Sequence, residues 1–129
     1  MVMLKNRQPA GFTLIELLVV MTIIAALLSL AAPRYIGNVD KAREAVLRSN
    51  LASLRDVLDK YYADNGKYPM KLDDLIQGRY LRKIPQDPFT ESESTWIVVP
   101  PADKEKGAIF DVLSGAPGKG ADGKPLRDL

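Results

Sequence analysis

A long apolar run interrupted by one acid most constrains what this chain can fold into. Residues 12–32 carry a single charged side chain, Glu16, in a stretch long enough to cross a bilayer as a helix. A carboxylate about one turn inside such a helix costs on the order of 2.5–3.5 kcal/mol. A helix that served only as an anchor would carry leucine there. We therefore expect Glu16 to have a partner, and another copy of the same chain is the first candidate.

The remaining composition narrows the chemistry that the chain can perform. At 129 residues it has room for one small domain besides the membrane segment. It contains no cysteine and no histidine, which excludes disulfides, thiolate metal sites, and the commonest general base and zinc ligand. The formal charge of +2 comes from Lys5 and Arg7, and no long basic run follows them. Nucleic acid is therefore not expected as a main partner.

The segment before the apolar run has the features of a targeting sequence. Lys5 and Arg7 precede the run without an accompanying acid, and positive charge keeps that side of a membrane helix in the cytoplasm. One alternative is a secretory signal peptide cut near residues 29–32, and another is a signal anchor that is never cut. Neither alternative explains Glu16.

The segment from Lys5 to Glu16 resembles the class III signal of type IV pilins and type II secretion pseudopilins, with the motif GFTLIE at residues 11–16. The resemblance implies that a prepilin peptidase cleaves after Gly11 and methylates the new amino terminus on Phe12, so that residues 1–11 form a cleaved leader. It also implies that Glu16 meets the Phe12 amine of an adjacent subunit and sets its register. An internal pair one turn apart, or a carboxylate that reaches the lipid interface, are the alternatives.

The predicted helix continues well beyond the apolar run. Pro33 removes one backbone hydrogen bond and loosens the preceding turn, and many members of the family carry a proline at this place. The resemblance implies that residues 25–33 can bend or melt in a fibre; a simple kink at the membrane exit is the alternative. An amphipathic stripe follows in residues 33–66, with these apolar positions: Ile36, Val39, Ala42, Val46, Leu47, Leu51, Leu54, Val57, Leu58, Tyr61 and Tyr62.

Turn-forming residues predict where this helix ends. Gly66 suits a left-handed cap after Asp64, and Pro69 prevents continuation. A helix over residues 12–64 is about 80 Å long. Such a length is natural for subunits whose helices bundle in a filament core.

Residues 67–129 are predicted to form a small domain that depends on packing against the helix. We expect a short helix at residues 71–77, an irregular link at residues 80–89, and strands at residues 95–99 and 108–113. The predicted fold class is therefore α+β. It consists of a pilin-like long N-terminal helix, half in the membrane and half amphipathic, packed on a small antiparallel sheet.

The order of motifs in this domain is similar to that of the major pseudopilins. YYADNGKYP at residues 61–69, LDDL at residues 72–75 and IPQDPF at residues 84–89 follow the usual succession. TESE at residues 90–93 departs from the usual glycine-asparagine-proline-tyrosine. The lack of cysteine excludes the disulfide-bounded loop of many true type IV pilins.

A Gly-Ala-Asp-Gly element at residues 120–123 resembles the calcium-binding loop of major pseudopilins. The resemblance implies Asp122 and Asp128 as carboxylate ligands. Ser114 and nearby carbonyl oxygens could add to the six to eight oxygens, at about 2.3–2.6 Å, that calcium takes. A flexible, metal-free tail is the alternative. The tail also carries three basic residues that oppose a dication: Lys119, Lys124 and Arg127.

The resemblance implies a structural role rather than an enzymatic one. We expect a subunit of the bacterial inner membrane with a cytoplasmic N-terminus and a periplasmic C-terminal domain. Copies of it would polymerise, together with other pseudopilins, into a pseudopilus that drives type II secretion. Its expected partners are the prepilin peptidase, an assembly platform protein and membrane lipid, with a separate ATPase as the motor. The alternative is a true type IV pilin for adhesion, twitching motility or DNA uptake; Glu16 disfavours a minor pseudopilin of the filament tip.

Two other functional classes depend on individual side chains. A membrane-anchored hydrolase needs a carboxylate pair, for which Asp73, Asp74 and Asp87 are the candidates. Adjacent aspartates at the start of a short helix suit capping better. Electron transfer would require stacked aromatic residues, which core and interface packing explains more simply. The candidates are Phe12, Tyr35, Tyr61, Tyr62 and Tyr68.

Overall fold

The computed structural model describes residues 11–129 of the chain. The predicted leader, residues 1–11, lies outside the described residues except for Gly11. In chain order the elements are helix α1 (Leu14–Asn65), helix α2 (Asp73–Gln77), strand β1 (Ile97–Val99) and strand β2 (Asp111–Leu113), with short 3₁₀ turns at Lys104–Lys106 and Leu126–Asp128. One long helix with a small two-stranded antiparallel sheet confirms the predicted α+β class.

The chain divides into two units between Gly37 and Asn38. The described part of the first unit consists of the first half of α1 and the three residues before it. The second unit, Asn38–Leu129, contains the second half of α1 and all elements that follow. The amphipathic part of the helix therefore packs with residues 67–129 in one unit. The sequence predicted that these residues depend on packing against the helix. The boundaries proposed at residues 32 and 66 stay predictions.

The core of the second unit forms on one face of α1. Leu47, Leu51, Leu54 and Leu58 recur at steps of three and four residues and are at most 1% exposed. Val46 lies at the side of the same stripe and remains half exposed, because the buried face of the helix is narrower than the apolar stripe in the sequence. Packed against the four leucines are apolar residues from the rest of the unit: Leu75, Ile84, Trp96, Ile109, Val112, Ala116 and Leu126.

The end of α1 has the predicted cap. Gly66 follows the helix with φ of 73°, in the left-handed region that glycine adopts without steric cost. Its amide donates to the carbonyl of Tyr62 at 2.8 Å. The helix runs continuously through Pro33, and bending or melting of this part in a fibre stays a prediction.

Helix α2 begins at Asp73, later than the predicted residues 71–77. The amides of Met70 and Lys71 both donate to Asp74 Oδ2 at 3.1 Å, so this carboxylate closes the turn that precedes the helix. Leu75, in the middle of α2, is fully buried against α1.

The sheet is also shorter than predicted. The sequence indicated strands at residues 95–99 and 108–113, whereas β1 and β2 each contain three residues. The amides of Ala108 and Ile109 donate to the carbonyl of Pro69 at 3.3 and 3.1 Å. These two residues therefore pair with the loop after α1 instead of extending the ladder with β1.

Candidate assembly site

Thr13 and Glu16 form reciprocal hydrogen bonds at the start of α1. The Thr13 amide donates to Glu16 Oε2 at 3.1 Å, and the Glu16 amide donates to Thr13 Oγ1 at 3.2 Å. This arrangement is a capping box, which satisfies two amides that a helix start would otherwise leave without partners. The carboxylate also lies at the positive end of the helix dipole. Glu16 is thus held in place by its own helix.

Sequence reasoning missed this capping box. It assigned Glu16 to a counter-ion, although Thr-x-x-Glu before an apolar run is the known signature of such a cap. In the described chain the Phe12 nitrogen is still joined to Gly11, so it is a peptide nitrogen and not an amine. The pairing of Glu16 with a freed amine therefore stays a prediction.

The junction between Gly11 and Phe12 is open. Phe12 is 82% exposed, and both residues precede the first helical residue, Leu14. A Cβ atom placed on Gly11 would have no heavy atom of the described residues within 4 Å. A protease could therefore approach this peptide bond without first displacing the helix.

The polar side chains of the apolar segment are satisfied within the helix. Thr22 Oγ1 donates to the carbonyl of Leu18 at 2.7 Å, and Ser29 Oγ donates to that of Ala25 at 2.8 Å. A hydrocarbon environment offers no water to replace such bonds. In the described part of the chain, α1 is long and apolar enough to cross a membrane.

The same helix presents a large uncovered apolar surface. Every side chain of residues 11–38 is exposed. No described residue of the first unit covers these side chains. Lipid or other helices are therefore the surroundings that suit this apolar surface. Its largest exposed residues include Phe12, Leu14, Ile15, Leu18, Met21, Leu30, Tyr35 and Ile36.

The predicted ligand Ser114 is buried in the second unit. Its Oγ donates to Asp87 Oδ2 at 2.5 Å and accepts from the Ala116 amide at 3.2 Å. Leu126, near the end of the same segment, is only 2% exposed. Ser114, Ala116 and Leu126 thus pack into the second unit, whereas residues 117–119 and 121–124 are exposed.

The other two predicted calcium ligands lie at the surface of the second unit. Asp122 and Asp128 are exposed, and Asp122 Oδ1 accepts a hydrogen bond from the Lys124 amide at 3.2 Å. Within residues 11–129 no three histidine, cysteine or acidic side chains form a group that could hold a metal ion. The Ser114 hydroxyl is already bonded to Asp87, and a calcium site formed by Ser114, Asp122 and Asp128 stays a prediction.

Glu44 is the second residue whose part sequence reasoning missed. It lies on α1, is 8% exposed, and accepts the Ala121 amide on Oε2 at 2.9 Å. Its Oε1 is 2.9 Å from a guanidinium nitrogen of Arg48. The Ala121 amide, and after it the Arg48 guanidinium, hold the pKa of Glu44 below its ordinary value of 4.5. The i,i+4 spacing of Glu44 and Arg48 was visible, but it indicated only a solvated helix face.

Arg55 makes a second connection between α1 and the C-terminal segment. Its Nε donates to Asp111 Oδ1 at 2.8 Å, and one terminal nitrogen donates to the carbonyls of Val112 at 3.3 Å and Leu129 at 2.8 Å. Glu44 and Arg55 thus hold two parts of the segment that follows β2.

The side chains proposed for other chemistry are used by the fold. Asp74 closes the turn before α2, and Asp87 accepts the Phe89 amide at 2.9 Å besides the Ser114 hydroxyl. Tyr62 and Tyr68 stack with ring centroids 4.6 Å apart. Asp74 and Asp87 thus act in turns, whereas Tyr62, which is exposed, and Tyr68 pack on each other outside the core.

Comparison with known protein families gives two adjoining matches. The model described as the prokaryotic N-terminal methylation motif matches residues 6–32. The model described as type II secretion system (T2SS), protein G, matches residues 34–126. Together they cover the apolar part of α1 and nearly all of the second unit.

Individual relatives have the same description. The type II secretion system core protein G of Vibrio cholerae is 31% identical, over 93% of this chain and 93% of its own length. The core protein G of Dickeya chrysanthemi is 33% identical, over 95% of this chain and 84% of its own. That of Escherichia coli K12 is also 33% identical, over 83% and 81%. No solved structure gave a significant match.

Proposed function

Because this chain belongs to the type II secretion system protein G family, we propose that it acts as a major pseudopilin, the structural subunit that polymerises into the pseudopilus of type II secretion. The observation that carries the proposal is the match of the protein G model to residues 34–126, directly after the methylation motif at residues 6–32. The reported comparisons give no support to a true type IV pilin.

We propose that maturation begins at the open junction described above. A prepilin peptidase cleaves between Gly11 and Phe12 and methylates the new terminus, while α1 remains with the mature protein. The exposure of Phe12 and the position of the junction before Leu14 support this step, because the scissile bond is not part of the helix. The cleavage leaves a positive amine beside the first turn of an apolar helix.

In the assembly step, Glu16 of one subunit receives the Phe12 amine of the next. A buried charge without a partner is strongly unfavourable, and removing one partner from a buried ion pair typically costs about 3–5 kcal/mol. The pair forms only where two helices are aligned along their axes, so it sets the register between neighbours. The capping box supports this role because it fixes the direction of the Glu16 carboxylate before the neighbour arrives.

The exposed apolar side chains of α1 supply the lateral contacts in this proposal. In the membrane they lie in lipid, and in the filament they pack against the helices of other copies and of other pseudopilins. Val46, in the second unit, is also half exposed and offers a further apolar contact. An assembly platform protein and an ATPase on the cytoplasmic side drive the polymerisation, and the second unit lies in the periplasm.

We propose no catalytic role for the chain. Asp74 and Asp87, the carboxylates considered for an acid–base pair, have backbone amides or a buried hydroxyl as partners. The contribution of this protein to secretion is therefore mechanical, through subunit addition.

Mass spectrometry of the protein purified from membranes tests the first step. The mature chain is expected to begin at Phe12 and to carry one additional methyl group. A strain that lacks the gene should fail to release type II substrates into the medium and should recover when the gene is supplied. Protein that retains residues 1–11, or normal secretion without the gene, would contradict the proposal.

A further inference from the structure

Three backbone hydrogen bonds close the loop at residues 118–126. The Gly120 amide donates to the carbonyl of Lys124 at 2.8 Å, and the Gly123 amide donates back to that of Gly120 at 3.0 Å. The Leu126 amide donates to the carbonyl of Gly118 at 3.1 Å. These bonds hold the loop together, but they do not connect it to the rest of the protein.

Glu44 anchors the loop to α1. Its Oε2 accepts the amide of Ala121, at the tip of the loop, at 2.9 Å. The approach is close enough that a Cβ on Gly120 would lie 2.9 Å from Glu44 Oε1 and 3.1 Å from Oε2. Glycine at this position therefore lets the loop backbone rest directly on the carboxylate.

The anchor brings two carboxylates to one side of the loop. Glu44 and Asp122 face the same guanidinium, because an Arg48 terminal nitrogen lies 2.9 Å from Glu44 Oε1 and 3.8 Å from Asp122 Oδ2. Two carboxylates placed this way repel each other unless a cation lies between them. Arg48 supplies that cation from within the chain.

We propose that Glu44 and Arg48 together fix this loop without a divalent metal, with the Arg48 guanidinium as the cation beside Asp122 in place of the calcium that the resemblance implied. Two of the three predicted calcium ligands already have partners, since Ser114 is bonded to Asp87 and Asp122 Oδ2 lies 3.8 Å from Arg48. The tail also carries Lys119, Lys124 and Arg127, whose positive charges oppose a dication in this loop. The proposal is independent of the function in secretion.

Hydrogen exchange of the full-length protein in detergent micelles tests this inference. Exchange of the amides in residues 118–126 is measured in chelator and in millimolar calcium. The wild-type loop is expected to be equally protected in both. In Glu44→Ala the loop should exchange at least about 10-fold faster in both conditions, since a hydrogen bond to a charged group is lost.

The Arg48→Met variant separates the two parts of the anchor. Without the guanidinium, Glu44 and Asp122 face each other unshielded, so the loop should exchange faster in chelator; recovery in calcium would further show that a metal can replace the arginine. Asp56 and Lys60 form an exposed pair of the same i,i+4 type at 3.0 Å, and Asp56→Ala and Lys60→Met serve as matched controls.

Exchange in the helical core around Leu51 and Leu58 shows that each variant is folded. Slow core exchange with fast loop exchange in Glu44→Ala and Arg48→Met, and unchanged loop exchange in the two controls, supports the proposal. Wild-type protein that loses loop protection in chelator and regains it in calcium would overturn it. Full loop protection in both variants would also do so.

Discussion

Ser114 donates a hydrogen bond to Asp87, Oγ to Oδ2 at 2.5 Å, and both side chains are completely buried. The bond connects the turn that begins at Asp87 with the residue directly after β2. The second carboxylate oxygen accepts the Phe89 amide at 2.9 Å. A buried carboxylate thus organises two segments that are far apart in the sequence.

Replacing Ser114 by alanine should destabilise the second unit. The change leaves Asp87 Oδ2 buried without its donor, which costs on the order of 1–3 kcal/mol. Urea unfolding of the full-length protein in detergent, followed by fluorescence of Trp96, measures the loss. Ser94→Ala is the control, because the Ser94 hydroxyl is exposed and its hydrogen-bond partner is the hydroxyl of Ser92. Equal midpoints for the two variants would contradict the importance of the buried bond.

Glu16→Ala should leave cleavage after Gly11 intact and abolish filaments or secretion. The reason is that the freed amine of a neighbour then enters the apolar helix bundle without a counter-ion. Mass spectrometry reports processing, and exported protein in the medium reports function.

Thr13→Ala distinguishes this role from simple helix capping. It removes the capping hydroxyl, at a cost of about 1 kcal/mol, and keeps the Glu16 carboxylate. We expect this variant to assemble. If Thr13→Ala were as defective as Glu16→Ala, the capping box alone would explain the requirement for the acid.

Three glycine-to-alanine changes should rank by local geometry. A Cβ on Gly115 would collide with the carbonyl oxygen of Thr95, so Gly115→Ala should prevent normal packing of the segment after β2. Gly66→Ala has space but retains a φ of 73°, and should cost on the order of 1 kcal/mol. Gly37→Ala, within α1 and without close neighbours among the described residues, should be neutral or stabilising. Thermal unfolding in detergent gives the order, and a Gly115 variant as stable as the Gly37 variant would refute it.

The contact between Tyr80 and Asp64 predicts a loss of stability in alkali. The Tyr80 hydroxyl donates to Asp64 Oδ2 at 2.6 Å, and this bond, with burial as a second cause, raises the pKa of Tyr80 above its ordinary value of 10.0. A pKa raised in the folded state stabilises the protein below the ordinary value, and the contribution disappears as the pH rises through the folded-state pKa.

Tyr80→Phe is the matched variant for this prediction. The free energy of unfolding of wild type should exceed that of the variant by a constant amount near neutral pH. The difference should shrink as the pH rises from about 10 towards 12. Unfolding in urea at a series of pH values measures it, and a difference that does not change over this range would contradict the raised pKa of Tyr80.

The sequence predicted the helices of this protein better than its short strands. The leucine spacing from Leu47 to Leu58 and the glycine after Asn65 specify the core face and end of α1 through local patterns alone. The ladder of β1 and β2 is cut short because Ala108 and Ile109 donate to Pro69. That pairing depends on where the loop after α1 passes, which no local pattern records.

The partners of charged residues were the hardest to predict. Glu44 looks like any solvated helix residue until residues 120–122 fold against it, and Arg55 finds its acceptors at Asp111 and beyond. The capping box of Thr13 and Glu16, in contrast, was visible in the sequence. The spacing was given less weight than the expectation that an acid in an apolar run needs a counter-ion.

In the proposed assembly, the capping box affects how a filament adds its next subunit. Glu16 caps its own helix through Oε2, and the residue is exposed, so a neighbour can reach a carboxylate that is already oriented. The incoming amine thus meets a rigid acceptor rather than a side chain that must first be immobilised. One carboxylate thereby closes its own helix and docks a second one, and each new subunit arrives at an acceptor that Thr13 and Glu16 of the previous subunit have already oriented.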